Sequence, residues 1–170
     1  GNNDNAIYSL SGSAVFSASG ELSVGFKTDS NATFSIEGSN ASVSTNAYNA
    51  RNNGTQKFVF DAVGVSPVNA AGAIQLADAA SLVIDISNLI VAADQTFPLI
   101  DGGSGLDAGE QFNSVSYLGL SGHSTVGSAT VRYDTQNNDL LLDVTYIPEP
   151  ATVTLLTLAG LGTLVRRRMT

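Results

Sequence analysis

Tyr8-Ser9-Leu10-Ser11-Gly12-Ser13 and Phe34-Ser35-Ile36-Glu37-Gly38-Ser39, 26 residues apart, carry one pattern: apolar and polar residues alternate over four positions and then meet a glycine. Period two puts Tyr8 and Leu10 on one face of a strand and Ser9 and Ser11 on the other. Leu22, Val24 and Phe26 alternate with Ser23 and Gly25 in the same way. The alternation returns at Phe58-Val59-Phe60 and Leu82-Val83-Ile84, so the first residues of the four segments are 26, 24 and 24 positions apart. A repeat of this length, with several short strands per unit, predicts a β-solenoid whose coils stack and bury a continuous core. The competing architecture is a β-sandwich, whose strands recur nearer every 8–12 residues or so.

Turn chemistry falls between the predicted strands. Ser30-Asn31, Ser39-Asn40 and, above all, Asn52-Asn53-Gly54 supply residues that tolerate positive φ. The alanines of Asn69-Ala70-Ala71-Gly72-Ala73 suit a short helix, but the alternation of Ile74 with Leu76 reads as strand. After Leu89 the rhythm changes. Segments 97–100, 112–118, 129–133 and 140–146 read as antiparallel strands, the last two joined by a hairpin loop at Asp134-Thr135-Gln136-Asn137-Asn138-Asp139. Such an element would cap the last coil, whose open edge would otherwise recruit other chains. The organisation expected is therefore solenoid repeats over 1–95, an antiparallel β cap over 96–147 and a tail over 148–170.

Composition supports an all-β chain. Ser, Thr, Asn and Gly supply 65 of the 170 residues, while Lys and Glu together supply six. The hydrophobic fraction, 43%, is too high for disorder. Residues 1–147 hold 14 acidic side chains against Lys27, Arg51, Lys57 and Arg132, a net charge of -10. A body this acidic repels phosphate backbones, so no nucleic-acid partner is expected. The chain has no cysteine, which removes disulfides, thiolate nucleophiles and Cys-rich zinc sites together.

The C-terminus reads as an address. Pro148-Glu149-Pro150 favours an exposed, extended segment, because proline lacks an amide donor and biases its predecessor away from helix. The uncharged run 151–165 follows, containing Leu155, Leu156, Leu158, Leu161, Leu164 and Val165, and then Arg166-Arg167-Arg168. As a helix the run would span about 22 Å, short of the roughly 30 Å hydrocarbon layer. Arginine side chains can snorkel and lengthen it, and the cluster would hold the C-terminus on the cytoplasmic side. Two glycines and four threonines in the run argue against a buried core helix.

In order, composition and position this tail resembles the PEP-CTERM sorting signal of Gram-negative bacteria. The resemblance implies export through an N-terminal signal peptide, recognition by an exosortase-type enzyme in the inner membrane and removal of the tail, with Pro148, Glu149 and Pro150 as the sorting motif and Arg166, Arg167 and Arg168 as the membrane-flanking cluster. Residues 1–5 have neither the charged start nor the apolar core of a signal peptide, so the chain is expected to be the C-terminal portion of a longer precursor. Through its Gly-Ser-turn repeats between Tyr8 and Val43, Phe58-Val59-Phe60-Asp61 and Leu82-Val83-Ile84-Asp85, the body resembles bacterial surface proteins with autotransporter-associated β-strand repeats. That resemblance implies a structural or adhesive role in the envelope or the extracellular polysaccharide matrix.

Chemistry-bearing motifs are few. Gly102-Gly103-Ser104-Gly105-Leu106-Asp107 matches the start of a calcium-binding nonapeptide repeat, with Asp101, Asp107 and Glu110 as oxygen ligands. It occurs once, and Gly109 stands where a large apolar residue should pack inward. The expectation is therefore an acidic loop without a cofactor, calcium being the alternative. His123 is the sole histidine and lies in a turn-like segment without a Gly-x-Ser-x-Gly elbow, so no catalytic residue is assigned and a non-enzyme is expected. The competing functional reading is a β-helical carbohydrate-binding or carbohydrate-active protein with its active surface upstream. It calls for acidic groups clustered with a basic partner, whereas the acids here are dispersed.

Overall fold

Alternating sequence becomes alternating sheets. In the computed structural model, which describes residues 6–25, 31–76, 79–106 and 109–148, the strands are β1 (Ala6–Ser11), β2 (Val15–Val24), β3 (Ala32–Glu37), β4 (Ser42–Ala50), β5 (Thr55–Val59), β6 (Val68–Leu76), β7 (Ser81–Asp85), β8 (Gln95–Ser104), β9 (Ser114–Leu118), β10 (Val126–Asp134) and β11 (Asp139–Tyr146). The described residues contain no helix. The short C-terminal helix expected over 151–165 lies outside them.

The odd-numbered strands from β1 to β9 form sheet A in the order β1-β3-β5-β7-β9, and every pair in it is parallel. Sheet B runs β10-β11-β8-β6-β4-β2. Its pairs from β2 to β8 are parallel, whereas β11 lies antiparallel between β8 and β10. The described residues are thus all-β, with two sheets of mostly parallel strands. The antiparallel arrangement expected after Leu89 holds for β10, β11 and the β11 edge of β8. It fails for β9, which pairs parallel with β7, and for the other edge of β8, which pairs parallel with β6.

Inward residues stack in columns between the sheets. In sheet A, Tyr8 lies opposite Phe34 and Leu10 opposite Ile36, the 26-residue step read from the sequence. The next steps differ: Phe34 lies opposite Gln56 and Ile36 opposite Phe58, and Leu82 and Ile84 follow opposite Gln56 and Phe58. The matches of Phe34 with Phe58 and of Phe58 with Leu82 that the 24-residue steps imply are off by two residues: Gln56, a polar residue, holds the position opposite both Phe34 and Leu82. Sheet B supplies Val43, Tyr48, Val68, Ile74, Leu76, Ile100 and Leu140 to the same core. Phe60 and Phe97 meet edge to face at 5.2 Å, a favoured aromatic geometry.

A bend recurs in sheet B. The register shifts between Ala18 and Glu21, between Thr45 and Tyr48 and between Ala70 and Ala73, so irregular residues stack on one another. The Thr45 hydroxyl lies 3.0 Å from the Gly20 carbonyl and 2.8 Å from that of Ala47. Backbones approach so closely there that a Cβ on Gly72 would lie 2.7 Å from Asn46 O, and one on Gly103 would run into Ala71 O. The Ala-rich stretch is strand, as Ile74 and Leu76 indicated. Asn52, in the strongest turn signal, and Asn138, in the expected hairpin loop, both take positive φ.

Candidate functional site

Backbone hydrogen bonds hold the described chain up to Ile147. Tyr146 N donates to Asp94 Oδ1 at 2.8 Å and Ile147 N donates to Thr125 O at 2.9 Å. Pro148, which has no amide to donate, follows and is exposed. β11 is held on both edges, so the chain leaves the body from an inner strand. Glu149, Pro150, Arg166, Arg167 and Arg168 lie outside the described residues.

The first part of the calcium motif lies in a strand. Asp101, Gly102, Gly103 and Ser104 belong to β8 instead of forming a loop, and Asp101 pairs in register with Asn69 near the start of β6. The Glu110 carboxylate instead accepts the amide of Leu76, the last residue of β6. Six residues of β6, including the bend between Ala70 and Ala73, separate those two anchor points. Asp107 lies outside the described residues. Among the described residues no three His, Cys, Asp or Glu side chains cluster as a metal site would require. Asp139 accepts the Gly102 amide at 3.3 Å, and its carboxyl is raised above the usual range by burial and by the charges of Asp101 and Asp134.

His123 lies in a turn whose Ser121, Gly122 and Ser124 are exposed, but is itself half-buried. Its Nδ1 accepts the amides of Thr125 at 3.2 Å and Val126 at 3.1 Å, while Nε2 lies 3.0 Å from Ile86 O. With Nδ1 accepting, Nε2 carries the proton and donates to that carbonyl. The ring thus ties the loop before β10 to the end of β7. Every ring nitrogen has a backbone partner.

Asp61 was not singled out from the sequence. Oδ2 accepts the amide and hydroxyl of Ser39 at 2.8 and 2.7 Å, and Oδ1 accepts the amides of Val63 and Gly64 at 2.8 Å each. Burial raises its pKa, but these bonds outweigh it and leave the carboxyl lowered to about 2. The signal was available: an Asp two and three residues ahead of Val63-Gly64 is the pattern of an Asx turn.

The described basic side chains, Arg51, Lys57 and Arg132, are each paired with acidic neighbours. Arg51 lies 3.2 Å from Glu21, Lys57 3.7 Å from Asp85, and Arg132 2.8 Å from Asp143 and 3.4 Å from Asp134. No acidic cluster with a free basic partner is thereby assembled among the described residues. No described helix is long and apolar enough to cross a membrane. Against protein-family models, curated proteins and solved structures the chain finds no match.

Proposed function

We propose that this chain is an exported structural or adhesive β-repeat protein of the cell surface or extracellular matrix, without enzymatic activity, carried there by a C-terminal tail that an exosortase-type enzyme in the inner membrane removes. The strand pairs β1-β2, β3-β4, β5-β6 and β7-β8 are read as successive solenoid coils. In support, consecutive strands from β1 to β9 alternate between sheets and each advances one place along its sheet. β10 and β11 act as the cap. A rigid scaffold with an acidic, hydroxyl-rich exterior suits an extracellular polysaccharide setting and has no use for nucleic acid.

The observation that carries the delivery half is the order of the tail: Pro148-Glu149-Pro150, an uncharged apolar run and Arg166-Arg167-Arg168. A processing enzyme needs an extended substrate, and a segment starting at an exposed proline supplies one. The test is expression of the full precursor in its host, followed by fractionation and intact-mass measurement. Recovery outside the cytoplasm with the tail removed near Pro148 is the expected result. Recovery in the cytoplasm with Arg166, Arg167 and Arg168 attached overturns the proposal.

A further inference from the structure

The two ends of the strand stack are finished differently. At the far end β11 and β10 close the core: Leu140 and Leu142 are fully buried, and the Tyr117 hydroxyl accepts the Val131 amide at 3.0 Å. The Tyr133 hydroxyl likewise accepts the Phe112 amide at 3.2 Å. At the near end no described strand lies beside the outer edge of β1 or of β2. Tyr8 occupies the inward column of Phe34, yet it is 66% exposed where Phe34 is 4% exposed. A cavity of about 280 Å³ opens there, its wall including Tyr8, Phe16, Leu22, Val24 and Phe34.

We propose that the face made by β1 and β2 is a docking surface for one further β-coil of the same pattern, lying parallel to the first and joined to the chain ahead of Ala6. The proposal takes the strand pairs as solenoid coils, as above. Its occupant follows from continuity, because β3 and β4 meet β1 and β2 through parallel ladders and each later coil repeats that interface. The edge chemistry agrees. Strand edges meant to stay free carry charges or proline, but β1 has neither and the one charged residue of β2, Glu21, is paired with Arg51 at 3.2 Å. A second copy of this chain fits less well, since it would bring a body of net charge -10 end-on against another.

The experiment compares the chain with a version in which a second copy of residues 31–53 is fused ahead of Ala6. Hydrogen exchange is read strand by strand. In the unextended chain, β1 amides should exchange at least tenfold faster than those of β3. In the extended chain, β1 and β2 amides should slow at least tenfold, and binding of an apolar dye should fall. The proposal is overturned if the added residues exchange as an unfolded tail while β3 to β8 stay protected. It is equally overturned if the unextended chain is dimeric by light scattering with β1 already protected, since a second copy then covers the face. Failure of the solenoid reading would show separately: small-angle scattering should find the extended particle longer by about one strand spacing, roughly 4.8 Å, at unchanged cross-section.

Discussion

The Tyr48 hydroxyl donates to Gln56 Oε1 across 2.9 Å, joining β4 of one sheet to β5 of the other where both residues are fully buried. Burial pushes the phenol well above its usual pKa, so it remains a donor. The Gln56 amide nitrogen donates to Lys57 O at 3.3 Å, so both ends of the side chain are satisfied. A polar pair inside an apolar stack ties the sheets in one register.

Removing both halves of that pair should cost less than the two single removals added together. Tyr48→Phe and Gln56→Leu each leave a buried polar group without its partner, at about 1–3 kcal/mol apiece. The double variant should lose clearly less than the sum of the two singles. Chemical denaturation of the four proteins measures the coupling, and strict additivity would show that the bond contributes nothing.

Asp61 should give the fold an acid-sensitive component. Its carboxyl lies lower in the folded chain, at about 2, than its ordinary value of 3.8. A depressed folded pKa means that the contribution is complete above the ordinary value and is lost as pH falls from near 4 towards 2. The stability gap between the parent chain and Asp61→Asn should therefore shrink across that window. Denaturation curves at several pH values test this, and a constant gap would refute it.

His123→Ala should loosen the cap at one place. It removes the acceptor of two amides and the donor to Ile86 O, a loss of about 1–3 kcal/mol. Exchange at Thr125 and Val126 should accelerate first, while the Tyr48 region stays protected. Equal acceleration throughout would place the effect on the whole fold.

Gly119→Ala and Gly103→Ala should both destabilise by about 2 kcal/mol or more, for different reasons. Gly119 has φ +76 and its Cβ would crowd Ser87, whereas Gly103 would meet the Ala71 carbonyl of the neighbouring strand. Gly109→Ala, with open space around it, serves as the neutral control. Thermal midpoints separate the three.

Calcium should leave the thermal midpoint unchanged between chelator and millimolar metal. Asp101 and Glu110 are anchored at different ends of β6, and ligand binding to the folded state would raise the midpoint by mass action. A rise of several degrees would restore the metal reading.

Local pattern was legible where one inward face is uniformly apolar. Tyr8 and Leu10 predicted their partners Phe34 and Ile36 because only one slide of the two segments matches both apolar residues and the glycine that follows. The next step was misplaced because Gln56 looks like a surface residue, and only its distant partner Tyr48 explains its burial. The slip was two residues, which preserves the face and so left the strand assignments intact. Strand direction was less legible: the alternation in 114–118 is the same for either direction, and β9 is parallel only because it continues the ladder of β7. The turns at Asn52 and Asn138 were read correctly because positive φ is a local demand. The functions of Asp61 and His123 depend on backbone groups brought up from elsewhere, Ser39 and Ile86, which no short window displays.

The exit of the chain from β11 has a mechanical consequence. Ladders to β8 and β10 flank that strand, so a pull on Pro148 along the strand loads both rows of hydrogen bonds in shear, many at once, instead of unzipping them singly. Tension on the tail therefore meets one of the most firmly gripped strands of the body, held by Leu140, Leu142 and Val144 in the core.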